Sequence, residues 1–318
     1  MIQQTMEETF KLQQIKLTLK RSFIDLVTAQ GYRNYEPEIF ESYDSFIKVN
    51  QRIDNLSMVK ILDNLGNILV LRPDVTTSII NQLIPQFRNG QALKLFYDTD
   101  IFTQTSQGTI SKSAQFGVEY LGSSDNYTDG EVVGLMLKLF EPFDVDYEVE
   151  IGNQKFLNAL FDRLKLPEDQ MKNLKEIITY KNTSKMQQFC SQATINTVDK
   201  TILENLFTLE GNLDSIAEKL HSLPLDPLMK EALIELKNLE TSLKSNPLKN
   251  RITFDLSMLS RFDYYQGITF QGFSPESNKA IVKGGRYNPI NKTTQNRIPA
   301  VGFTIDIDAL VKAVTPRG

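Results

Sequence analysis

Apolar residues open the chain on a helical spacing: Leu12, Ile15, Leu19, Phe23 and Leu26 recur three and four apart, and Gly31 is a natural stop. Tyr32 to Pro37 then reads as extended, because a residue before proline avoids the helical region. Two short apolar runs, Met58–Leu62 and Ile68–Leu71, bracket Asp63-Asn64-Leu65-Gly66-Asn67 and predict a hairpin. Pro73 and Asp74 suit a helix start, with Val75, Ile79 and Leu83 on one face. Leu93–Tyr97 and Gln115–Leu121 predict strands separated by the polar stretch Thr103–Ser113. Gly130–Phe140 predicts a helix, and Tyr147–Ile151 alternates as a half-exposed strand does.

From about residue 153 to 249 the pattern becomes helical almost throughout, as in Phe156, Leu157, Leu160, Phe161 and Leu164, then Met171, Leu174, Ile177 and Ile178. After Pro247 strands return at Ile252–Leu256, Tyr264–Phe273, Lys279–Lys283 and Ala300–Ile305, and a last helix starts from Asp306. Strands on both sides of a helical block predict an α+β core over 1–151 and 250–318. Its sheet is antiparallel or mixed and flanked by helices, and 152–249 forms a mainly helical insertion.

A length of 318 residues allows about two domains and a sizeable core. A single cysteine, Cys190, excludes an intrachain disulfide framework and fits a reducing compartment. One histidine, His221, and one cysteine also exclude zinc fingers and zinc-hydrolase sites, so no metal is expected. No apolar run approaches a membrane span, and the amino terminus lacks the pattern of a signal peptide. The expectation is a cytoplasmic globular protein away from membranes. Lys plus Arg number 35 against 39 Asp plus Glu, for a net charge of −4. The helical block carries 13 of each sign between 152 and 250, so no basic face suggests a nucleic-acid partner.

Five polar, glycine-bearing or aromatic segments lie at the ends of predicted strands. In Leu71-Arg72-Pro73-Asp74-Val75-Thr76-Thr77, an acid and a hydroxyl two apart could hold an ammonium group. Taken alone, these residues favour a plain helix-terminus role. In Gln115–Gly122, strand alternation puts Gln115, Gly117 and Glu119 on one face. That face is either solvated or open to an approaching group, since glycine leaves space. Ser260–Gly267 sets Tyr264 and Tyr265 beside Asp263, an arrangement commoner in cross-strand packing than in ligand contact. Gly284-Gly285 permits a close approach or a tight turn, and Pro299–Leu310 reads as a strand passing into an amphipathic helix.

Read in order, these segments resemble the catalytic core of histidyl-tRNA synthetase, a class II aminoacyl-tRNA synthetase fold. Gly31–Pro37 resembles motif 1, Leu71–Thr76 the Leu-Arg-Pro-Glu-Gly-Thr signature, Gln115–Glu119 the end of motif 2, and Pro299–Leu310 motif 3. Tyr264-Tyr265 and Gly284–Tyr287 resemble the histidine-specific segments. The resemblance implies a histidine site of Asp74, Thr76, Gln115, Glu119, Tyr265 and Tyr287, with Tyr264, Gly284, Gly285 and Arg261 as further candidates.

The ATP-handling positions depart from that family. Phe102-Thr103-Gln104-Thr105 stands where the synthetases have Phe-Arg-x-Glu, so Thr103 replaces the α-phosphate arginine. Ala309 replaces the γ-phosphate arginine, Asp306 replaces a glycine, and Ser260 fills a third arginine slot. At the last of these, either Arg261 serves from one place later or the contact is lost. A lost charge-assisted hydrogen bond costs about 1.5–3 kcal/mol, and a lost donor to developing charge about 10²–10³ in rate. Adenylation is therefore not expected, and no anticodon-binding domain is expected after the core.

The pattern is closer to a second family, the histidyl-tRNA-synthetase-like regulatory subunit of short-form ATP phosphoribosyltransferase, which favours Leu-Arg-Pro-Asp-x-Thr. That resemblance implies a non-catalytic, cofactor-free subunit of the first step of histidine biosynthesis. It would be needed for activity of the catalytic subunit and for feedback inhibition by L-histidine, held in the old substrate pocket or at a subunit interface. It further implies a self-dimer and a hetero-octamer of four plus four chains. The alternatives are a truncated histidyl-tRNA synthetase or adenylating ligase, and a synthetase-derived amino-acid sensor.

Overall fold

The structure is a computed structural model and describes residues 5–49, 57–88, 90–105, 107–143, 145–260 and 265–314. Helix α1, Met6–Ala29, begins with a capping box between Thr5 and Glu8 and buries Leu19, Phe23 and Val27 in its second half. Strand β1, Arg33–Asn34, leads to β2, Phe40–Ser42, and helix α2, Tyr43–Val49. The expected hairpin is β3, Lys60–Leu62, with β4, Ile68–Leu71; Asp63 accepts from the Leu65 and Asn67 backbone N–H groups across the turn. Together β2, β4 and β3 form a small three-stranded sheet, and neither β2 nor α2 was legible from apolar spacing.

The main sheet is nine-stranded among the described residues. After α3, Val75–Gln82, come β5, Leu93–Gln104, and β6, Ile110–Leu121. Helix α4, Asn126–Phe140, begins earlier than expected because Asp125 caps it by accepting from the Tyr127 N–H. Strand β7, Glu148–Asn153, leads into the helical block: α5, Gln154–Leu164; α6, Glu168–Thr179; α7, Thr183–Gln192; α8, Thr197–Asn205; the two-residue β8, Glu210–Gly211; α9, Leu213–Leu220; and α10, Pro227–Ser242. Then follow β9, Ile252–Asp255; β10, Tyr265–Phe273; β11, Val282–Tyr287; β12, Ala300–Asp306; and α11, Ile307–Val314. The strand order is β1-β5-β6-β12-β11-β10-β7-β9-β8, antiparallel except where β1 meets β5 and β7 meets β9.

Three expectations change. The polar stretch Thr103–Ser113 does not separate two strands but lies mostly inside them, paired from Thr103 with Ser111 to Leu93 with Leu121. Its residues are polar because this end of the hairpin runs out toward solvent. The strand expected at Lys279–Lys283 lies at Val282–Tyr287, so the paired glycines sit in mid-strand rather than in a turn. The helical block contributes β8 to the sheet edge, and its apolar residues, such as Phe156, Leu174 and Leu236, join one core with Phe116, Val118 and Phe303.

Alternation divides the sheet into two faces. Phe96, Val118, Phe303, Gly284, Phe270, Ile151 and Phe254 stand opposite one another on the face covered by α1, α4, α5, α10 and α11. The other face carries α3, whose Val75 and Ile79 pack with Leu95, Tyr97, Leu121 and Ala300.

Arg72 locks the entrance to α3. It is 2% exposed, and its guanidinium donates to the carbonyls of Pro37, Glu38 and Asp100 at 2.5, 2.6 and 2.8 Å, and to the Thr99 hydroxyl. Its backbone N–H donates to Ile39 and its carbonyl accepts from Phe102. Removing the side chain strands several buried acceptors at once, each worth about 1–3 kcal/mol unpaired. Arg72→Ala is expected to lower the unfolding free energy in urea by about 3 kcal/mol or more; a loss below about 1 kcal/mol would contradict this account.

Candidate functional site

The candidate residues are organised by register on the α3 face. One row across the strands reads Leu95, Glu119, Gly302, Gly285, Thr269, Gly152. The row on one side reads Tyr97, Gly117, Thr304, Lys283, Gln271, Glu150, and beyond it Thr99, Gln115, Asp306. The row on the other side includes Leu121, Ala300, Tyr287 and Tyr265. The glycines are where neighbouring side chains fold over the sheet. A Cβ on Gly302 would lie 1.9 Å from the Glu119 carboxylate, and one on Gly117 would lie 2.0 Å from the Tyr97 ring. Tyr97 reaches across Gly117 to share a 2.5 Å hydrogen bond with Thr304.

Glu119 is the centre. Its Oε1 accepts from the Thr76 hydroxyl and its Oε2 from the Tyr287 hydroxyl, both at 2.9 Å, and only 1% of the residue is exposed. Burial pushes its carboxyl up to about 8, against the pull of these two donors, and Asp74 nearby adds to the rise. Burial likewise holds the Tyr287 hydroxyl well above its usual range, reinforced by Glu119. Tyr265 stands directly opposite Tyr287, the rings edge to face with centroids 6.5 Å apart.

Asp74 caps α3: its Oδ2 accepts from the Thr77 N–H at 2.7 Å and the Thr77 hydroxyl at 2.5 Å, and burial raises its carboxyl. The helix-terminus role therefore holds, and the cap also sets Thr76 against Glu119. Gln115 shares the face with Glu119 but lies four residues away, about 13 Å along the strand, beside Thr99 and Asp306. Gly285 belongs to the site row. Gly284 does not: it faces the helix-covered side, where a Cβ would lie 2.3 Å from the Phe270 ring. Arg261 and Tyr264 lie outside the described residues.

Positions that would contact ATP are neutral or acidic. Thr103 faces the same side as Glu119 near the hairpin end, with Thr99, Ile101, Ser111, Ser113 and Gln115, and none of these is a cation. The hairpin turns within Thr105–Thr109, where Gly108 adopts φ +80°. Ala309 is buried, and its backbone N–H donates to Asp306 Oδ1 at 2.9 Å, so Asp306 is occupied in capping α11. Asp308 faces Lys16 at 2.7 Å and accepts from the Ala114 N–H at 2.9 Å. Among the described residues no His, Cys, Asp and Glu group has a metal-binding arrangement, and no helix is long and apolar enough to cross a membrane.

Sequence reasoning missed Tyr97, Thr304 and Arg72. Tyr97 and Thr304 lie in strands that read as ordinary packing, and only the glycine opposite each shows that they reach over the sheet.

The raised carboxyl of Glu119 has a direct consequence. The folded state holds its proton more tightly than the unfolded chain, whose carboxyl titrates near 4.5, so this contribution to stability is full below about pH 4.5 and is lost as pH rises through about 8. Glu119→Gln removes that dependence. In calorimetric melts at pH 5 and pH 8 the variant is expected to gain on the parent protein at pH 8; parallel profiles would refute the raised carboxyl.

Comparisons with known proteins agree on one family. Residues 11–310 match the histidyl-tRNA synthetase family. An ATP phosphoribosyltransferase regulatory subunit from Oceanobacillus iheyensis is 30% identical over 289 residues, covering 90% of this chain and 71% of the relative. One from Bacillus mycoides is 28% identical over 313 residues, covering 97% and 73%. A solved regulatory subunit/histidyl-tRNA synthetase from Bacillus halodurans superposes with a TM-score of 0.84 at 27% identity, over 100% of this chain and 82% of that one. A chain of the ATP phosphoribosyl transferase HisG:HisZ complex from Thermotoga maritima shares the fold, with a TM-score of 0.69 at 19% identity over 91% and 96%. The chain belongs to the family of ATP phosphoribosyltransferase regulatory subunits, non-catalytic proteins built on the histidyl-tRNA synthetase fold.

Proposed function

We propose that this chain is the regulatory subunit of a short-form ATP phosphoribosyltransferase, and that it carries the histidine sensitivity of the complex. The partner catalytic subunit joins ATP to phosphoribosyl pyrophosphate in the first step of histidine biosynthesis, in the cytoplasm. This chain is required for that activity, needs no cofactor of its own, pairs with a second copy through its core, and assembles as four plus four. The observation that carries the reading is an asymmetry of the α3 face. Thr76, Glu119, Tyr265 and Tyr287 are gathered within one polar cluster, while the phosphate-contacting positions hold Thr103 and Ala309, with Asp306 beside them. An acid between two hydroxyl donors, walled by tyrosines, suits a small ligand with an N–H donor and an aromatic ring. With Thr103 and Ala309 at the phosphate-contacting positions, no cation stands there to hold a triphosphate.

Feedback then requires that histidine bind the inhibited assembly more tightly than the active one; the coupling equals that difference in affinity. The partner named for the Thermotoga maritima complex supports the choice of catalytic subunit.

Reconstitution tests the proposal. The chain is expected to copurify with a short-form catalytic subunit and to activate it, L-histidine is expected to inhibit the mixture, and histidine-dependent pyrophosphate–ATP exchange is expected to be absent. Glu119→Ala or Tyr265→Ala is expected to abolish inhibition while sparing assembly. Inhibition unchanged in both variants would move the effector to a subunit interface, and pyrophosphate exchange would make the chain a synthetase instead.

A further inference from the structure

Acids outnumber bases 39 to 35 in this chain, yet no Asp or Glu stands between Asp74 and Asp98, or between Glu276 and Asp306. The fold joins these two acid-free stretches through Asn291. That residue is fully buried, and its Nδ2 donates to the carbonyls of Ile84 and Phe87 at 2.7 and 3.3 Å. Its Oδ1 accepts from the Thr293 and Thr294 N–H groups, and its backbone bonds to Gln295 and Asn296. Every polar atom of Asn291 is used in closing the loop 288–299 and holding it against the turn Ile84–Gln86 that follows α3.

Three cations rise from this junction. Arg88 follows Phe87, Lys292 follows Asn291, and Arg297 stands opposite Ile290 where the loop returns. All three are exposed. Among the described residues none of them has a carboxylate within ion-pair distance, whereas Lys16, Lys94, Lys155 and Arg286 elsewhere do. Arg297 reaches only the Gln266 side chain and the Asn288 carbonyl, both at 3.4 Å. Beside it Ile290 is 45% exposed. Exposed cations around an apolar side chain describe a contact surface for a protein. Asn291 has its hydrogen bonds filled and offers nothing to a small anion. No aromatic side chain in either stretch is exposed to stack a base, and three cations on an acidic chain give a weak hold on a polyanion.

Resting on the reading of this chain as a regulatory subunit, we propose that this face docks an acidic surface of the catalytic subunit, with Ile290 as its apolar contact and Arg88, Lys292 and Arg297 paired around it. The place of the face suits a regulatory contact. Thr76 on α3 and Tyr287 on β11 both donate to Glu119, and Asn291 ties the turn after α3 to the loop after Tyr287. The face therefore rests on both elements that hold Glu119, and a partner seated there meets any change in their spacing. Charge pairs at the rim of a contact speed association and fix its register more than they add affinity, which makes salt the sensitive variable.

Reconstitution with the full chain tests this. The concentration of the chain that half-activates the catalytic subunit is measured at low salt and at about 0.5 M NaCl, with a thermal melt for each variant. For the parent that concentration is expected to rise with salt. With Arg88→Glu, Lys292→Glu and Arg297→Glu combined, it is expected to be about 100-fold higher at low salt and no longer to rise with added salt. The melting temperature is expected to stay as in the parent, because the three side chains are exposed and make no ion pair. The corresponding triple glutamine variant is expected to fall between the two, which separates charge from folding. Activation in the glutamate variant that matches the parent overturns the docking surface; if heparin then retains the parent and not the variant, the face belongs to a nucleic acid instead. A parent chain that neither binds nor activates the catalytic subunit overturns the regulatory reading, and this surface with it.

Discussion

One guanidinium holds together the parts that make the site. Among the described residues no carboxylate is bonded to Arg72; it binds carbonyl oxygens before β2 on one side and carbonyl and hydroxyl oxygens of β5 on the other. A planar fork with fixed donors suits this task, whereas a lysine would offer one flexible point of attachment. Two residues later Asp74 starts α3, and one turn of that helix delivers Thr76 to Glu119. The position of Thr76 against Glu119 follows from where that short loop is pinned. Next to it, Glu41 is buried and shares a hydrogen bond with Ser78 of α3, so the same helix is anchored along its length.

Glu119 shows what such anchoring is for. A carboxyl group sealed in a sheet face is costly, and two hydroxyl donors do not cancel the cost, since its carboxyl still rises to about 8. By contrast Asp129, similarly buried, faces the Arg286 guanidinium at 2.7 Å and rises only to about 6. The first carboxyl has been left without a cation, and a ligand with an N–H donor is the natural complement. Arg286 serves structure: it ties the start of α4, through Asp129 and the Ser123 carbonyl, to the helix-covered side of β11.

Much of the fold was legible because apolar spacing reports burial directly. The helices from α5 to α10 and the alternation that puts Gln115, Gly117 and Glu119 on one side both followed from local pattern. The parts that were not legible depend on partners far along the chain. Nothing local distinguishes Gly284 from Gly285, yet one accommodates Phe270 and the other Tyr265. Gly302 reads as packing until Glu119 is set opposite it. The outer hairpin, Thr103–Ser113, was hidden because a strand that leaves the body of the protein has no buried face to mark it. Asp74 caps α3, as its residue type at a helix start suggests, while the ligand contact that the resemblance gives it is a separate expectation.

The parallel pairing of β7 with β9 has a consequence for how the chain assembles. Val149 meets Ile252 and Ile151 meets Phe254, with the whole helical block spliced between them. Closing a loop of that length by chance is entropically unfavourable, and it becomes easy only once the helices have compacted the intervening segment. Both neighbours of β7 in the sheet, β9 and β10, follow the block in the chain, so neither edge of β7 can be paired until the block has been made. The folded block is thus the closure that joins the two halves of the sheet, and its packing against the common core is a condition for the site face to exist.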